Sequence, residues 1–321
     1  MKKWLPIGFL PLLLCACLAD GLFAPTPDAA LAATQTAQSA LLASIQQTLG
    51  AIATITPYAP GSPPQESALP AWRSTPRPTP QASDALVTNE ADGMALAHVP
   101  AGEFLMGSSQ YDRDLDTNEA PQHKVWLDAF WISRTQVTNR MYARCVEAGV
   151  CQYSASQRTN PRYLNPQFAD HPVVYVAWQA AQDYCEWSGG RLPTEAEWEK
   201  AARGRQGQKY SWGNGPPADG VINANQLVGD TTPAGQFPAG ASPYGALDMG
   251  GNVREWVWDW YDPYYYQYAP QKNPTGPASG EKKVLKGASY SDSLRFARPA
   301  NRLAHEAASP GVNRGFRCIY P

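Results

Sequence analysis

The stretch that decides the fold reads Lys286-Gly287-Ala288-Ser289-Tyr290, then Ser291-Asp292-Ser293-Leu294-Arg295-Phe296-Ala297, and further on Arg314-Gly315-Phe316-Arg317-Cys318. It lies in a part of the chain, beyond Gly204, that is rich in glycine, proline, asparagine and aromatic residues and shows few regular periods. Little of that part is expected to be helical. A large domain with so much irregular structure needs additional cross-links, and disulfides and bound cations are the available ones.

Helix signals are clearest just before that part. Thr194 and Glu197 form a capping box, which predicts a helix that starts after Thr194 and ends at Gly204. Within it, Glu199 and Arg203 have the spacing of a helical ion pair. Earlier residues predict one helix from a Thr138 cap to residue 148 and another over residues 178–187. Strands are expected at residues 97–108, as a strand, turn and strand, and at residues 125–131.

Three motifs together resemble the formylglycine-generating enzyme (sulfatase-modifying factor) family. They are the stretch quoted above, Gly190-Arg191-Leu192-Pro193-Thr194-Glu195-Ala196-Glu197-Trp198-Glu199, and Met249-Gly250-Gly251-Asn252-Val253-Arg254-Glu255-Trp256. The motifs match in order and span the last two-thirds of the chain. The resemblance implies an α+β domain related to C-type lectins, with much irregular structure, and we place it at residues 93–321.

The resemblance departs from the family at its reactive centre. In the family's oxidases, two cysteines after the Gly-Ser-Tyr motif bind copper and activate oxygen, and the matching positions here are Asp292 and Ala297. Monovalent copper selects soft sulfur ligands, which neither residue supplies. We therefore expect no copper and assign no catalytic residue.

The histidines give no sign of an iron site. His98, His123, His171 and His305 are scattered without ligand spacing. Iron-dependent relatives, such as the sulfoxide synthases of ergothioneine synthesis, take their histidines from an additional helical domain. We therefore expect no iron, and the chain also lacks a Gly-x-Ser-x-Gly, phosphate-loop or metalloprotease motif.

A calcium ion is the metal that the resemblance implies. The positions at which the family binds it hold Asp248, Gly251, Val253 and Glu255, and calcium prefers such a mixture of carboxylate and carbonyl oxygens. The alternative is a glycine-rich turn that leads into an aromatic strand. A second family site would fall at Asn225, Gln226 and Asp230, where the loop is shorter here.

The cysteine content suits an exported protein, because unpaired thiols oxidise outside the cytoplasm. The resemblance implies a disulfide between Cys185 and Cys318. Cys145 and Cys151 are close in sequence at a helix end, where Gly149 lets the chain turn back, so a local disulfide is expected. The alternative for Cys145 and Cys151 is a metal or redox pair, although their spacing is wider than a redox Cys-x-x-Cys.

What remains in the region of the family's active groove is a polar set: Arg254, Ser289, Tyr290, Asp292, Arg295, Arg298 and Arg302. In one interpretation, Asp292 beside arginines is a structural ion pair. In the other, the groove binds an extended peptide or a glycan-like ligand without transforming it.

The N-terminal part has the build of an export signal followed by a stalk. Lys2 and Lys3 precede an apolar run that is too short to span a bilayer. Leu14-Cys15-Ala16-Cys17 resembles a bacterial lipobox, so we predict a signal peptide at residues 1–16 and lipidation of Cys17 at the outer face of the bacterial cytoplasmic membrane. The alternative is an ordinary cleaved signal. Residues 17–92, rich in Ala, Thr and Pro, predict a disordered stalk, either partly helical at 28–55 or oligomerising there.

Charge and composition narrow the choice of partner only slightly. Lysine plus arginine number 26 against 28 aspartate plus glutamate, so no electrostatic attraction to nucleic acid is expected. We expect a monomeric domain whose membrane contact is the lipid anchor alone, and whose ligand is a protein, peptide or glycan. The function expected is that of a non-catalytic binding or accessory domain; the alternative is an enzyme, formylglycine-generating or otherwise.

Overall fold

The computed structural model describes residues 87–162, 164–218 and 220–321. The expected signal peptide, Cys17, the helix at 28–55 and the stalk up to residue 86 lie outside the described residues. The boundary expected at residue 93 falls inside the folded domain, because residues 87–92 pack against it. Asn89 donates to the Ser188 carbonyl at 2.8 Å, and Asp92 accepts the Tyr184 hydroxyl at 2.7 Å. These polar contacts bury Asn89 and Asp92, which composition alone assigns to the stalk.

Helices and strands are mixed along the described residues, which confirms the α+β class. The helices are α1 (Asn139–Glu147), α2 (Ala155–Arg158), α3 (Trp178–Trp187) and α4 (Glu195–Arg203). The strands are β1 (Leu96–Val99), β2 (Gly102–Met106), β3 (His123–Leu127), β4 (Phe130–Ser133), β5 (Arg254–Trp260), β6 (Lys282–Lys286), β7 (Leu303–Glu306), β8 (Arg314–Phe316) and β9 (Ile319–Tyr320). Short 3₁₀ turns and irregular loops connect them.

The predicted helix starts are confirmed. The Thr138 hydroxyl accepts from Met141 N–H at the start of α1. At the start of α4, the Thr194 hydroxyl accepts from Glu197 N–H at 3.2 Å, and the Glu197 carboxylate accepts from Thr194 N–H at 2.7 Å. Gly204 follows α4 with a positive φ of 68°, a conformation that glycine adopts without strain.

Three sheets are formed by the described strands. β4 lies between β1 and β9, β2 pairs with β3, and the third sheet has the order β7-β6-β5-β8. The single strand expected at 125–131 is two strands, β3 and β4, which belong to different sheets. In the third sheet β8 runs parallel to β5, while the other described pairs of adjacent strands in the three sheets are antiparallel.

Helix α4 joins the sheets through buried charge as well as apolar packing. Glu199 accepts from Lys286 at 3.0 Å and from Arg203 at 2.9 Å, and its side chain is fully buried. Burial alone would raise the pKa of Glu199, but Lys286 and Arg203 outweigh it and lower that pKa to about 2. Trp198, from the same helix, lies in the apolar core.

Both expected disulfides are confirmed. Cys145 bonds to Cys151 with a Cα–Cα distance of 5.2 Å, and Cys185 bonds to Cys318 with one of 5.5 Å. The second bond ties α3 to the segment between β8 and β9. No helix within the described residues is long and apolar enough to cross a membrane.

Candidate functional site

Strand β5 separates two polar sites, because successive side chains of a strand point to opposite faces. Arg254 projects to one face and is partly exposed, whereas Glu255 projects to the other and is 1% exposed. We call the two the outer site and the inner site. The outer site contains Arg254, Asp292 and Ser289. The inner site contains Glu255, Gln136 and the oxygens around the Gln136 amide.

In the outer site, the carboxylate of Asp292 is held by several donors. Arg254 donates from Nε at 2.7 Å and from a terminal nitrogen at 2.5 Å, and Ser289 donates from its backbone N–H at 2.8 Å and its hydroxyl at 2.7 Å. Burial alone would raise the pKa of Asp292, but the bonds from Arg254 and Ser289 hold it below its ordinary value. Asp292 is therefore a structural ion-pair partner, as one of the two interpretations expects.

Ala297, the second position of the family's copper pair, is fully buried. Its methyl group belongs to an apolar cluster with Tyr210, Ile222, Ala224 and Ala288. Every cysteine in the described residues is bonded in one of the two disulfides. A bonded carboxylate and a methyl group are not ligands that monovalent copper accepts, so the residues at these two positions do not fit that metal.

The rim of the outer site is partly apolar and exposed. The backbone N–H groups of Asn225 and Gln226 donate to the carbonyls of Asp292 and Tyr290, both at 2.7 Å. These contacts fix a loop that leaves Leu227 and Val228 more than half exposed, at 58% and 54%. The ring of Phe296 lies near the guanidinium groups of Arg254 and Arg295. Of these two arginines, Arg295 is exposed.

Arg298 and Arg302 do not belong to the outer site, contrary to expectation. Arg298 is 1% exposed and pairs with Glu119 through bonds of 2.6 and 2.8 Å. Arg302 is 3% exposed and pairs with Glu195 through bonds of 2.8 and 2.9 Å. The chain turns inward after the 3₁₀ turn at Leu294–Ala297, so both arginines serve the core.

In the inner site, Glu255 is surrounded by donors. Arg317 donates to both of its oxygens, at 2.6 and 2.8 Å, and the Trp198 indole donates at 2.7 Å. The fourth donor is the side-chain amide of Gln136, at 2.9 Å. Glu255 thus joins β5, α4 and the segment between β8 and β9.

The four residues expected to bind calcium come together around the amide nitrogen of Gln136. The carbonyl oxygens of Asp248, Gly251 and Val253 lie 3.4, 3.1 and 3.0 Å from it. Asp248 offers its carbonyl to the cluster, while its carboxylate accepts from Gly235 N–H at 2.6 Å. Burial raises the pKa of the Asp248 carboxyl to about 6. Sequence reasoning missed Gln136, because a lone glutamine before a helix cap belongs to no motif.

The residues expected for a second calcium site are not brought together. The Asp230 carboxylate pairs with Arg162 at 2.8 Å. Asn225 and Gln226 have exposed side chains and serve the outer site through their backbones. Among the described residues, no group of three or more His, Cys, Asp or Glu side chains could hold a metal. The inner site is of another kind, since most of its oxygens are main-chain carbonyls.

Comparison with known proteins agrees with this architecture. The formylglycine-generating enzyme of Streptomyces coelicolor is 33% identical over 277 residues, which cover 68% of this chain and 87% of that enzyme. The serine/threonine-protein kinase pkn1 of Chlamydia caviae is 34% identical over 239 residues, 70% of this chain but only 37% of the kinase. The solved structure of PvdO from Pseudomonas aeruginosa is 25% identical with a TM-score of 0.63, covering 75% of this chain and 99% of that one.

The chain spans about a third of the length of the chlamydial kinase, so what the whole kinase does is not carried over. The family description "Sulfatase-modifying factor enzyme 1-like domain" matches residues 82–320. That match covers the whole described fold, including both sites. The chain therefore belongs to the sulfatase-modifying factor family, to which the formylglycine-generating enzymes are related.

Proposed function

We propose that this chain is a non-catalytic binding or accessory member of its family. The observation that carries the proposal is the state of the two positions where the family's oxidases need thiolates. Asp292 is bonded to Arg254 and Ser289, and Ala297 is packed in an apolar cluster. Rebuilding a thiolate pair there requires two substitutions and the loss of an ion pair.

The ligand that suits the outer site best is an extended polypeptide. Exposed Leu227 and Val228 follow Gln226, whose backbone N–H donates to the Tyr290 carbonyl, and mixtures of apolar and aromatic side chains are found in the cores of protein interfaces. A glycan is the competing ligand, to be distinguished by experiment. The domain acts as a monomer, and nucleic acid is not a ligand because the chain carries no excess of positive charge.

Pull-down from the native cell envelope with the full-length chain as bait tests this proposal. Replacement of Leu227 and Val228 by aspartate should abolish recovery of the ligand. Val150→Asp is the matched control, since Val150 is equally exposed, at 51%, in the loop after α1. A ligand recovered equally by all three baits would contradict binding at the outer site. Loss of the bound material on protease treatment supports a polypeptide, whereas loss on glycosidase treatment identifies a glycan.

We further propose that the domain is displayed outside the cytoplasm and anchored by lipid at Cys17. The two disulfides support an oxidising location, because such bonds are rare in the cytoplasm. The lipobox-like sequence before Cys17 supports the anchor. Metabolic labelling with a palmitate analogue should mark the wild type and Cys15→Ala but not Cys17→Ala. Equal labelling of all three proteins would contradict it.

An enzymatic function is the competing proposal, favoured by similarity to a relative named as a formylglycine-generating enzyme. The full-length chain, supplied with copper, should leave a Cys-x-Pro-x-Arg peptide unchanged when formylglycine is measured by mass spectrometry. Copper-dependent conversion above background would return this chain to the oxidases and overturn the binding proposal.

A further inference from the structure

Strand β8 places a second arginine beside the outer site. Arg314 lies opposite Arg254 in the parallel pair of β8 and β5, so both side chains leave the sheet on the same face. Asp292 balances the charge of Arg254. Among the described residues, the guanidinium of Arg314 has hydrogen bonds only with His305 and Ser309, and neither supplies a negative charge. Arg314 is partly exposed, so a ligand can reach it.

The free edge of that guanidinium has the geometry that binds a carboxylate. Arg314 Nη1 donates to the Ser309 carbonyl at 2.8 Å, and Nη2 lies 2.6 Å from Nε2 of His305. A guanidinium has five N–H donors in a fixed fork. The Nε–H and the second Nη2–H of Arg314 have no acceptor within the part of the chain that the structure describes. At Arg254, Nε and Nη2 are the two atoms that bind the Asp292 carboxylate, so the same edge of Arg314 is available for another carboxylate.

Gly311 helps to fix the position of the Arg314 guanidinium. A Cβ atom at residue 311 would lie 2.9 Å from Nε and 3.0 Å from Cζ of Arg314, closer than such atoms normally approach. The φ of Gly311 lies outside the left-handed region, so the glycine is required by the space around Arg314 rather than by the backbone. Because the guanidinium is packed against the main chain, it loses less side-chain entropy when it binds a ligand.

This part of the surface carries more positive than negative charge. Asp292 offsets Arg254 but leaves Arg314 unbalanced, and an arginine does not lose its proton in a protein. Burial and then the charge of Arg254 lower the pKa of Arg314, and no carboxylate of the described residues offsets them. Burial and then Arg314 lower the pKa of His305, which keeps its ring a neutral acceptor. A negative group of a ligand would balance the surplus charge.

We propose that Arg314 binds a carboxylate of the polypeptide ligand through its Nε and Nη2 atoms. The inference rests on the proposed function, because it names the chemical group that the surface around the outer site takes from an extended ligand. The Asn313 amide donates to the Ser289 hydroxyl at 3.3 Å, so the residues around Arg314 are continuous with that site. The carboxylate is that of an aspartate or glutamate side chain, or of the ligand's C-terminus. Hydrogen bonds between charged groups are about twice as strong as neutral ones, and the paired geometry adds specificity.

Matched synthetic peptides test the carboxylate. An array of C-terminally amidated peptides, each made with aspartate, asparagine or lysine at one central position, is probed with the full-length chain, and the Kd of the bound peptides is measured by fluorescence polarisation. We expect the aspartate versions to bind about ten times more tightly than the asparagine versions, as one paired contact to a carboxylate provides. The lysine versions should bind no better than the asparagine ones. Asparagine peptides with a free C-terminus are a further arm, and equality with the aspartate versions would support the proposal and assign the carboxylate to the chain terminus.

Substitutions at the site separate a carboxylate contact from general attraction. Arg314→Gln should remove the preference for aspartate over asparagine, and Arg314→Lys, which keeps the charge without the fork, should retain about threefold. Gly311→Ala should weaken the preference as well, since the new methyl group displaces the guanidinium. Arg140→Gln is the matched control, because Arg140 is exposed on α1 and is already paired with Asp170. Each ratio compares two peptides on one protein sample, so partial unfolding of a variant does not change it.

Three negative results are distinguishable. If peptides bind the wild type and lose binding in Leu227→Asp with Val228→Asp, but show no preference for a carboxylate, the carboxylate site is wrong and the proposed function stands. A preference that survives Arg314→Gln would overturn the assignment to Arg314. If no peptide binds the wild type better than that double variant, both the carboxylate site and the polypeptide ligand are wrong.

Discussion

The two sides of strand β5 hold charge pairs of the same type at different depths. On the inner side, Glu255 and Arg317 are both about 1% exposed or less, and every oxygen of the carboxylate is bonded. On the outer side, Arg254 and Asp292 are 19% and 12% exposed, and exposed apolar residues lie around them. Arg254 and Glu255 are adjacent in β5, yet the first belongs to a partly exposed ion pair and the second to a buried one.

The difference lies in how many parts of the fold each site holds together. The inner site joins α4, β5 and the segment after β8, so its loss would release three parts of the domain at once. The outer site links one end of β5 to the loop after β6, and loops tolerate change more readily than the elements they connect. We therefore expect large stability effects on the inner side and small ones on the outer side.

The largest effect is expected from the disulfide that adjoins Arg317. Cys185→Ala with Cys318→Ala opens a loop of 133 residues in sequence separation and should cost about 5 kcal/mol of unfolding free energy by the loop-entropy model. Cys145→Ala with Cys151→Ala, the matched pair with a separation of 6, should cost about 2 kcal/mol. Urea denaturation of the full-length chains measures both. Equal losses would show that loop length does not control them.

Removal of the inner arginine is the next largest change. Arg317→Met leaves Glu255 buried without its charge partner and should cost about 3–5 kcal/mol in urea denaturation. Its loss of stability is to be compared with that of Asp292→Asn, which removes the charge of the outer pair. A loss below about 1 kcal/mol for Arg317→Met would mean that Trp198 and Gln136 suffice to hold Glu255, and the contrast between the two sides would fail.

The pH dependence of the unfolding free energy should show the contribution of the buried carboxylate of Glu199 in α4. The folded-state pKa of Glu199, about 2, is below its ordinary value of 4.5, so its contribution is complete above about pH 4.5 and lost as the pH falls toward 2. The difference corresponds to about 3 kcal/mol. Unfolding free energies measured from pH 7 to pH 3 should fall less steeply in Glu199→Gln than in the wild type. Parallel profiles would show that Glu199 does not carry this dependence.

The smallest effect is expected at the outer site. Asp292→Asn removes the charge but keeps an acceptor for Ser289, so it should cost about 1–2 kcal/mol in urea denaturation. Ser293→Asn, at an exposed position next to Asp292 whose side chain makes no cap bond, is the control and should be neutral. A loss for Asp292→Asn as large as that for Arg317→Met would erase the distinction between an inner and an outer site.

Local signals in the sequence predicted local structure well. The capping box of Thr194 and Glu197, the Thr138 cap and the Glu199–Arg203 ion pair each involve residues within one helical turn. Such contacts form wherever the helix forms, so spacing alone identifies them. The local disulfide of Cys145 and Cys151 belongs to the same class, and the longer one was implied by the family.

Contacts between segments distant in sequence could not be predicted from residue spacing. Arg298 finds Glu119 at a separation of 179 residues, and Gln136 finds Glu255 at 119. Glu119 and Gln136 are marked by no motif, and a run of arginines near a groove motif has the same appearance whether it faces water or the core. The division of residues 125–131 into β3 and β4 has a related origin, since β3 pairs with β2 while β4 pairs with β1 and with the distant β9.

The segment from β8 to β9 supplies the last strands of two sheets to be synthesised. Residues 314–316 pair with β5, residues 319–320 pair with β4, and between them lie the partner of Glu255 and the cysteine that bonds to α3. Every other described strand is synthesised before this segment. Until it arrives, β4 and β5 each present an unpaired edge, and such edges template wrong pairing. Folding of the domain as one unit therefore waits for the residues that complete two of its three described sheets.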